Sequence, residues 1–219
     1  MGFYSDIIFP RVYDCLIDTP HWAKYRTEQL AMVGGDILEI GVGTGLNLPH
    51  YPKHVRKLTT VDPSPGMNKL LQRRIDATGI EVDQRILGGE ELPFDGETFD
   101  CVVSTVTLCS IPGVQQAMRE LFRVLRPGGR FLFLEHGVSP DLKVYKWQRR
   151  LNGLQKRFVG GCQLDVDIQG LLESQSFESL TIDNFYMERM PRTHGYMYRG
   201  VAVKGGVPTL DKPPQNTAK

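Results

Sequence analysis

Short apolar runs alternate with amphipathic stretches along most of the chain. Five of these runs are bounded by glycine, proline or polar residues, which is typical of strands in a buried sheet. The five predicted strands cover residues 36–40, 57–61, 82–87, 99–105 and 130–134.

Stretches with apolar residues at helical spacing separate the strands. One predicted helix, 65–77, follows Ser64, a suitable N-cap with proline in the first turn. A second, 114–125, ends at Pro127-Gly128-Gly129. Later in the chain we predict helices at 142–157 and 166–175, and an antiparallel pair of strands at 180–186 and 195–203.

This order of elements predicts one α/β domain. Strands that alternate with helices form right-handed crossovers and a parallel sheet covered on both faces. We expect a Rossmann-like, doubly wound, seven-stranded sheet that is mostly parallel, with an antiparallel last strand. The predicted organisation is a flap of two short helices at 1–34, divided at Asp18-Thr19-Pro20, a main domain at 35–204, and a disordered polar tail at 205–219.

Composition and charge exclude few functions. The chain has 219 residues, with 26 basic against 25 acidic side chains, so its net charge of +1 predicts no nucleic-acid partner. No run approaches the ~18 apolar residues of a membrane span, so we expect no integral membrane segment. Cysteine and histidine spacing predicts no metal site, and the spread of the thiols suits a reducing, cytoplasmic compartment. We expect a monomer. The cysteines are Cys15, Cys101, Cys109 and Cys162.

A glycine-rich loop follows the first strand. Gly41, Gly43 and Gly45 permit positive φ and a close approach of backbone to ligand, whereas their spacing differs from the G-x-G-x-x-G of nicotinamide enzymes. Asp62 ends the next strand, where a carboxylate can accept hydrogen bonds from a ribose diol. A turn residue is the alternative interpretation of Asp62.

Four segments together resemble the class I S-adenosylmethionine-dependent methyltransferases over residues 36–203. They are the E-x-G-x-G-x-G loop from Glu39, Asp62, Glu90-Glu91-Leu92-Pro93-Phe94 with Phe99-Asp100, and Leu125-Arg126-Pro127-Gly128-Gly129. The resemblance implies S-adenosylmethionine as cofactor, S-adenosylhomocysteine as product and a methyltransferase domain at 35–204. It implies cofactor contacts at Glu39, Gly41, Gly43, Gly45, Asp62, Pro63, Gly89, Glu90, Thr105 and Leu108.

One position departs from the family pattern. Many relatives carry an aspartate that binds the adenine amino group where this chain has Gly88. We therefore expect backbone groups or Glu90 to hold the adenine.

Five further segments resemble the small-molecule thiol S-methyltransferases. They are Thr107-Leu108-Cys109-Ser110, Glu135-His136, Gly161-Cys162-Gln163-Leu164, and the stretches 171–177 and 198–204. The implied acceptor is a thiol or hydrosulfide. N-methylation of aminolipid headgroups and C-methylation of a quinone precursor stay open as alternatives, as does a non-catalytic cofactor-binding module.

His136 is the candidate catalytic residue. It follows the fifth strand at the carboxyl edge of the sheet, and a pKa near ~6.5 suits proton transfer. Asp165 is its candidate partner. The alternatives are a histidine bonded to a loop carbonyl and an aspartate that caps the helix at 166. A thiol near pKa ~8.5 needs no base, whereas a hydroxyl or a carbon acid does.

Aromatic and sulfur-containing side chains are candidates for the acceptor wall, with ordinary packing as the alternative. A basic run at 143–157 is the solvated side of a helix, or a surface for an anionic acceptor or a peripheral membrane contact. The candidate acceptor residues are Tyr4, Tyr13, Cys109, Trp147 and Cys162, together with Phe3.

Overall fold

Seven strands form one sheet in the computed structural model, which describes residues 4–206 without the side chains of residues 5, 6, 68 and 69. The sheet order is β3-β2-β1-β4-β5-β7-β6, and β7 runs antiparallel to both of its neighbours. This confirms the predicted doubly wound α/β fold. The strands are β1 Ile37–Ile40, β2 Lys57–Val61, β3 Glu81–Arg85, β4 Phe99–Thr105, β5 Leu125–His136, β6 Phe177–Tyr186 and β7 Tyr196–Lys204.

Helices join the strands, and two of them precede the sheet as predicted. Short helical turns lie at Tyr4–Ile8, Leu48–His50 and Leu108–Ser110. The α-helices are α1 Phe9–Ile17, α2 Pro20–Leu30, α3 Asn68–Thr78, α4 Val114–Val124, α5 Leu142–Phe158 and α6 Ile168–Glu173. None of the helices in the described part of the chain is long and apolar enough to cross a membrane.

The central strands of the sheet are buried on both faces, as β5 illustrates. Phe131 and Phe133 pack into the core that contains α4 and α6, while Leu132 points into the core on the opposite face. Side chains alternate along a strand, so successive apolar residues serve both cores. This continuous burial explains why the central strands are apolar runs rather than alternating patterns.

Two predicted helix starts are wrong for a local reason. The backbone N–H of Ser64 donates to Asp62 Oδ1, so Ser64 belongs to a turn and α3 begins only after Met67. Asp167, not Asp165, caps α6 by accepting from the Gly170 N–H at 2.9 Å. In both cases an aspartate side chain satisfies backbone donors and displaces the predicted cap.

The fourth helix also ends differently. It stops at Val124, and Leu125 already pairs with Phe99 in the sheet. Pro127-Gly128-Gly129 therefore forms an irregular start of β5, with Gly128 at φ +75°, rather than a loop before the strand.

The two N-terminal helices cover the carboxyl edge of the sheet. Ile17 and Trp22 are buried against Leu46, Leu134 and Met197. The helices therefore share a core with the main domain. The predicted tail lies outside the described residues from position 207 onward.

Candidate functional site

A cavity of about 240 Å³ opens at the carboxyl ends of β1, β2 and β4. Ligands of open α/β sheets bind at this edge, where the strand order reverses beside the first strand. Its lining comes from the glycine loop, the strand ends, the segment 87–90, the turn after β4 and the flap. The lining includes Phe9, Tyr13, Gly41, Gly43, Asp62, Pro63, Gly88, Gly89, Glu90, Val106, Thr107, Ser110, Ile111 and Gly160.

The glycine loop requires its glycines. Gly41 has φ +68°, and a Cβ there would collide with the side chain of Thr107. Gly43 has φ +55° and lines the cavity, and a Cβ there would have no heavy atom closer than 3.9 Å. Backbone therefore forms this wall of the cavity, and Gly43 leaves room for a ligand against it.

Asp62 links the loop to the end of β2. Its Oδ2 accepts from the Gly43 N–H and its Oδ1 from the Ser64 N–H, both at 2.8 Å. Burial raises the pKa of Asp62, and the two backbone donors act in the opposite direction. A carboxylate has about four acceptor sites, so both oxygens keep a lone pair for a ligand hydroxyl.

Glu39 and Thr105 lie behind the loop, around a small recess rather than in the main cavity. Glu39 accepts from Asn47 Nδ2 at 2.8 Å and from the Tyr51 hydroxyl at 2.9 Å. Burial raises the pKa of Glu39 to about 7. Asn47 also donates to Thr105 Oγ1 at 3.0 Å, so one buried network supports the loop from below.

Glu90 occupies the space beside Gly88. A Cβ on Gly88 would lie 2.5 Å from Glu90 Oε2, so the Glu90 carboxylate fills the region that a larger residue at 88 would enter. Glu90 Oε1 accepts from the Gly113 N–H at 3.2 Å. This arrangement is compatible with the expectation that Glu90 binds the adenine in place of an acidic residue at position 88.

A strained turn follows β4 and is held by the buried carboxylate of Glu135, which was not among the predicted site residues. Val106 lines the cavity at φ +52°, a conformation that β-branched residues rarely adopt. Glu135 Oε2 accepts from the N–H groups of Thr107 and Leu108 at 2.9 and 3.2 Å, and Ser104 Oγ donates to Glu135 Oε1. Backbone strain of this kind is frequent at ligand sites.

The flap supplies an aromatic wall and is tied to the glycine loop. Phe9 and Tyr13 line the cavity, with ring centroids 5.8 Å apart. Thr44 Oγ1 donates to Asp14, and Arg74 donates to Asp14 Oδ2 at 2.8 Å. Neither Phe9 nor Asp14 was predicted, because a single aromatic or acidic residue on an amphipathic helix carries no pattern.

Cys109, His136 and Cys162 form a buried cluster. His136 Nε2 lies 3.2 Å from Cys162 Sγ, and the exposed fractions of the three residues are 0%, 6% and 6%. The hydrogen bond with Cys109 has the largest effect on Cys162 and lowers its pKa, and the contact with His136 acts in the same direction against the effect of burial. The hydrogen bond between the two thiols raises the pKa of Cys109. Burial acts to lower the pKa of His136, but Cys162 outweighs it and the pKa rises.

The cluster lies directly behind the cavity wall. Cys109 Sγ lies 3.6 Å from Ser110 Oγ, and Ser110 lines the cavity. Gly160, two residues before Cys162, also lines it. Tyr13 lines the same wall, and burial raises its pKa, so its hydroxyl remains protonated at neutral pH.

Several predicted site residues lie elsewhere. Tyr4 and Trp147 are about half exposed; Tyr4 donates to the Phe158 carbonyl, and Trp147 lies under Arg150. Asp165 accepts from Asn152 Nδ2, so its contact is with α5 rather than His136. Gly45 packs against Leu71, and Leu108 is fully buried in the core. Phe3 is outside the described residues.

The residues that do line the cavity fit an adenosyl ligand. Asp62 offers free acceptor sites for a diol, Gly43 offers bare backbone, and Leu87 and Ile111 offer apolar contacts for a planar ring. These groups surround one continuous space.

Comparison with known proteins agrees with this geometry. The methyltransferase domain family model matches residues 38–133. Human thiol S-methyltransferase TMT1A is 34% identical over 177 residues, which span 77% of this chain and 70% of that protein. Phosphatidylethanolamine N-methyltransferase of Cereibacter sphaeroides is 36% identical over 105 residues, 47% of this chain and 51% of its own length.

The fold has solved counterparts as well. The crystal structure of an S-adenosylmethionine-dependent methyltransferase from Thermotoga maritima, described as a possible histamine N-methyltransferase, aligns with a TM-score of 0.64. The alignment covers 90% of this chain and 98% of that one at 18% identity, which establishes a shared fold.

Proposed function

Because the chain belongs to the S-adenosylmethionine-dependent methyltransferases, we propose that its acceptor is a small thiol or hydrosulfide. The observation that carries this proposal is the set of residues that line the cavity. Asp62 and Glu90 are the only carboxylates among its described lining residues, and we assign both to the adenosyl group. We assign Phe9, Tyr13, Ser110 and Gly160, which line the same cavity and carry no carboxylate, to the acceptor.

Acceptor chemistry then separates the alternatives. A hydroxyl or carbon acid needs a positioned base to become a nucleophile, and none of the lining residues on the acceptor side is a carboxylate or histidine. A thiol with a pKa near ~8.5 is partly ionised at neutral pH without assistance. The site therefore suits an acceptor that needs little proton removal.

The described residues would act mainly by positioning and by excluding water. Bound S-adenosylmethionine supplies an activated sulfonium methyl group. Asp62 would hold the ribose hydroxyls, and Glu90 with Gly89 and Pro63 would border the adenine. Holding an acceptor in line with the methyl can lower the barrier by ~7–11 kcal/mol. Phe9 and Tyr13 would keep water away from the thiolate, which reacts better when poorly solvated.

The test is an acceptor panel. Purified protein with S-adenosylmethionine is offered hydrosulfide, alkyl thiols, aminolipids and quinols in separate reactions, and S-adenosylhomocysteine release is measured. We expect turnover with hydrosulfide or thiols and none with the other two classes. Release with aminolipids or quinols alone would contradict the proposal, as would a protein that binds cofactor but uses no thiol.

The second candidate is N-methylation of an aminolipid headgroup, and helix α5 favours it. The helix contains six basic side chains and no acidic one between Leu142 and Phe158. Trp147, Leu154 and Phe158 on the same helix are 48–62% exposed. A basic helix with exposed aromatic residues suits the interface of an anionic membrane.

A vesicle experiment separates this candidate from the first. The full chain is sedimented with vesicles of phosphatidylcholine and phosphatidylethanolamine, with and without an anionic phospholipid. Binding together with S-adenosylhomocysteine release from the phosphatidylethanolamine vesicles would favour the aminolipid reaction. Binding without release would establish only a peripheral membrane contact and leave the thiol proposal in place.

A further inference from the structure

The buried cluster unites two thiols and an imidazole from three separate elements. Cys109 lies in the short helical turn after β4, His136 ends β5, and Cys162 follows α5. One potential ligand atom from each residue lies within 4.8 Å of the other two. No linear spacing connects the three, which is why the sequence predicted no metal site.

The dimensions are close to those of a zinc site. Zinc binds sulfur at ~2.3 Å and imidazole nitrogen at ~2.0–2.1 Å in tetrahedral geometry, so neighbouring ligand atoms lie ~3.5–3.8 Å apart. The observed distance between His136 Nε2 and Cys162 Sγ is 3.2 Å. A shift of a few tenths of an ångström would suffice for that pair.

A second observation concerns the histidine. His136 is 6% exposed, and its Nδ1 is one of two buried side-chain polar atoms with no hydrogen-bond partner among the described residues. A buried imidazole with an unpaired nitrogen is costly unless another group is bound. Nε2 is the nitrogen that faces Cys162 and would bind an ion there, which leaves Nδ1 for a second hydrogen-bond partner such as a water.

From these observations we propose that Cys109, His136 and Cys162 bind a zinc ion, and that its fourth position receives the acceptor sulfur. Three protein ligands with one open position are the arrangement of catalytic rather than structural zinc sites. Two thiolates balance the charge of the ion, and soft sulfur ligands favour zinc over magnesium or calcium.

The open position would face the cavity. Ser110 directly follows Cys109 and Gly160 lies two residues before Cys162, and both line the cavity together with Tyr13. The ligands also have fixed supports. The Gln163 N–H donates to the Cys109 carbonyl at 2.9 Å, and Gln155 Nε2 lies 3.7 Å from Cys162 Sγ.

The chemistry rests on the proposed thiol methylation. An acceptor thiol would lose its proton to solvent on binding zinc, which keeps it as a thiolate. Its sulfur would attack the sulfonium methyl, a new sulfur–carbon bond would form, and the broken bond would leave its electron pair on the sulfur of S-adenosylhomocysteine. The neutral thioether product is a weak zinc ligand and would depart.

The first measurement is metal content. The full chain is produced in zinc-containing medium and desalted, and zinc is measured by mass spectrometry. We expect about one zinc ion per chain. Cobalt added to chelator-treated protein should give the visible bands of a tetrahedral thiolate site. Zinc below about a tenth of an equivalent together with no cobalt spectrum would overturn the proposal.

Variants assign the ligands. Cys109→Ser, Cys162→Ser and His136→Ala should each abolish the cobalt spectrum, while Cys101→Ser, a buried cysteine outside the cluster, should preserve it. Calorimetric binding of S-adenosylhomocysteine to each variant shows that it is folded. If a cluster variant does not fold, Cys109→Asp and Cys162→Asp, which retain an anionic ligand, should shift the cobalt bands. An unchanged spectrum in any folded cluster variant would contradict the assignment.

Different results would contradict the zinc site and the thiol acceptor. Zinc binding without turnover of any thiol would leave the metal site intact and contradict the thiol function. Thiol turnover at full rate in metal-free protein would contradict the metal site and leave the function intact.

Discussion

The proposed cofactor and acceptor halves of the cavity are built in different ways. The proposed cofactor half consists of short segments at the ends of β1, β2 and β3, with Gly43 and Asp62 joined by one hydrogen bond. The proposed acceptor half gathers the flap, the turn after β4 and the loop after α5, and the end of β5 lies behind it. A local motif therefore encodes one half, and only the complete fold assembles the other.

This difference has a functional consequence. Backbone geometry fixes the cofactor half, because Gly41 and Gly43 both adopt positive φ. Side chains whose neighbours are distant in sequence define the acceptor half. Substitutions in the first half should therefore change cofactor affinity, and substitutions in the second should change turnover at constant cofactor affinity.

The largest expected effect is on the acceptor side. His136→Ala should lower kcat/KM for a thiol acceptor by about 100-fold, because it removes a ligand of the proposed zinc site, and should leave S-adenosylhomocysteine affinity within about twofold. Steady-state kinetics and calorimetry measure the two quantities. His54→Ala is the control, since His54 contacts the Val33 carbonyl away from the cavity. Full activity of His136→Ala would remove His136 from the reaction.

On the cofactor side, Asp62→Ala should weaken S-adenosylhomocysteine binding at least tenfold, about 1.4 kcal/mol. The variant loses the proposed ribose acceptor and leaves the Gly43 and Ser64 amides without their partner. Asp62→Asn retains one oxygen and should have an intermediate affinity. Asp83→Ala, which removes an exposed carboxylate paired with Arg85 on β3, should have no effect. Unchanged affinity in Asp62→Ala would mean that the ribose is held elsewhere.

The sequence predicted the fold and the cofactor half because their signals are local. Strands β2 and β4 match the predicted residues, and the loop from Glu39 to Gly45 and Asp62 lie at the expected strand ends. The helix starts at 65 and 166 were wrong because side-chain capping by Asp62 and Asp167 depends on turn geometry. Nearby polar residues compete to cap a helix, and this competition leaves no periodic pattern in the sequence.

The acceptor half was predicted only in part. Cys109, His136, Cys162 and Tyr13 were selected, and the structure brings them together. Tyr4, Trp147 and Asp165 were also selected but face solvent or α5, since an amphipathic pattern does not tell which face meets a ligand. Phe9, Asp14 and Glu135 were missed because their partners are far away in the chain.

The contact between the flap and the glycine loop tests whether the flap supports cofactor binding. The side chains of Asp14 and Arg74 are 18% and 19% exposed and join α1 to the helix beneath the glycine loop. A double-mutant cycle with Asp14→Ala and Arg74→Ala should give a coupling of about 1 kcal/mol in cofactor binding. The exposed Asp83–Arg85 pair should give nearly none. Additive effects of Asp14→Ala and Arg74→Ala would indicate that the flap does not support the loop.

The last expected effect is on stability. Burial raises the pKa of Glu39 from 4.5 to about 7, so the folded protein holds a proton that the unfolded chain has released. The free energy of unfolding should therefore fall as pH rises from 4.5 through 7, by about 1 kcal/mol between pH 6 and 8. Denaturant titrations should show a shallower pH dependence for Glu39→Gln. Equal slopes would contradict the assignment to Glu39.

The most direct test of the central claim is a crystal structure of the complex with S-adenosylhomocysteine. Its sulfur marks the point from which the methyl group leaves, where the two halves of the cavity must meet. We predict the ribose hydroxyls on Asp62 and the sulfur facing the wall formed by Tyr13 and Ser110, in front of the Cys109, His136 and Cys162 cluster. A sulfur that points toward Glu90, with the ribose away from Asp62, would contradict the account.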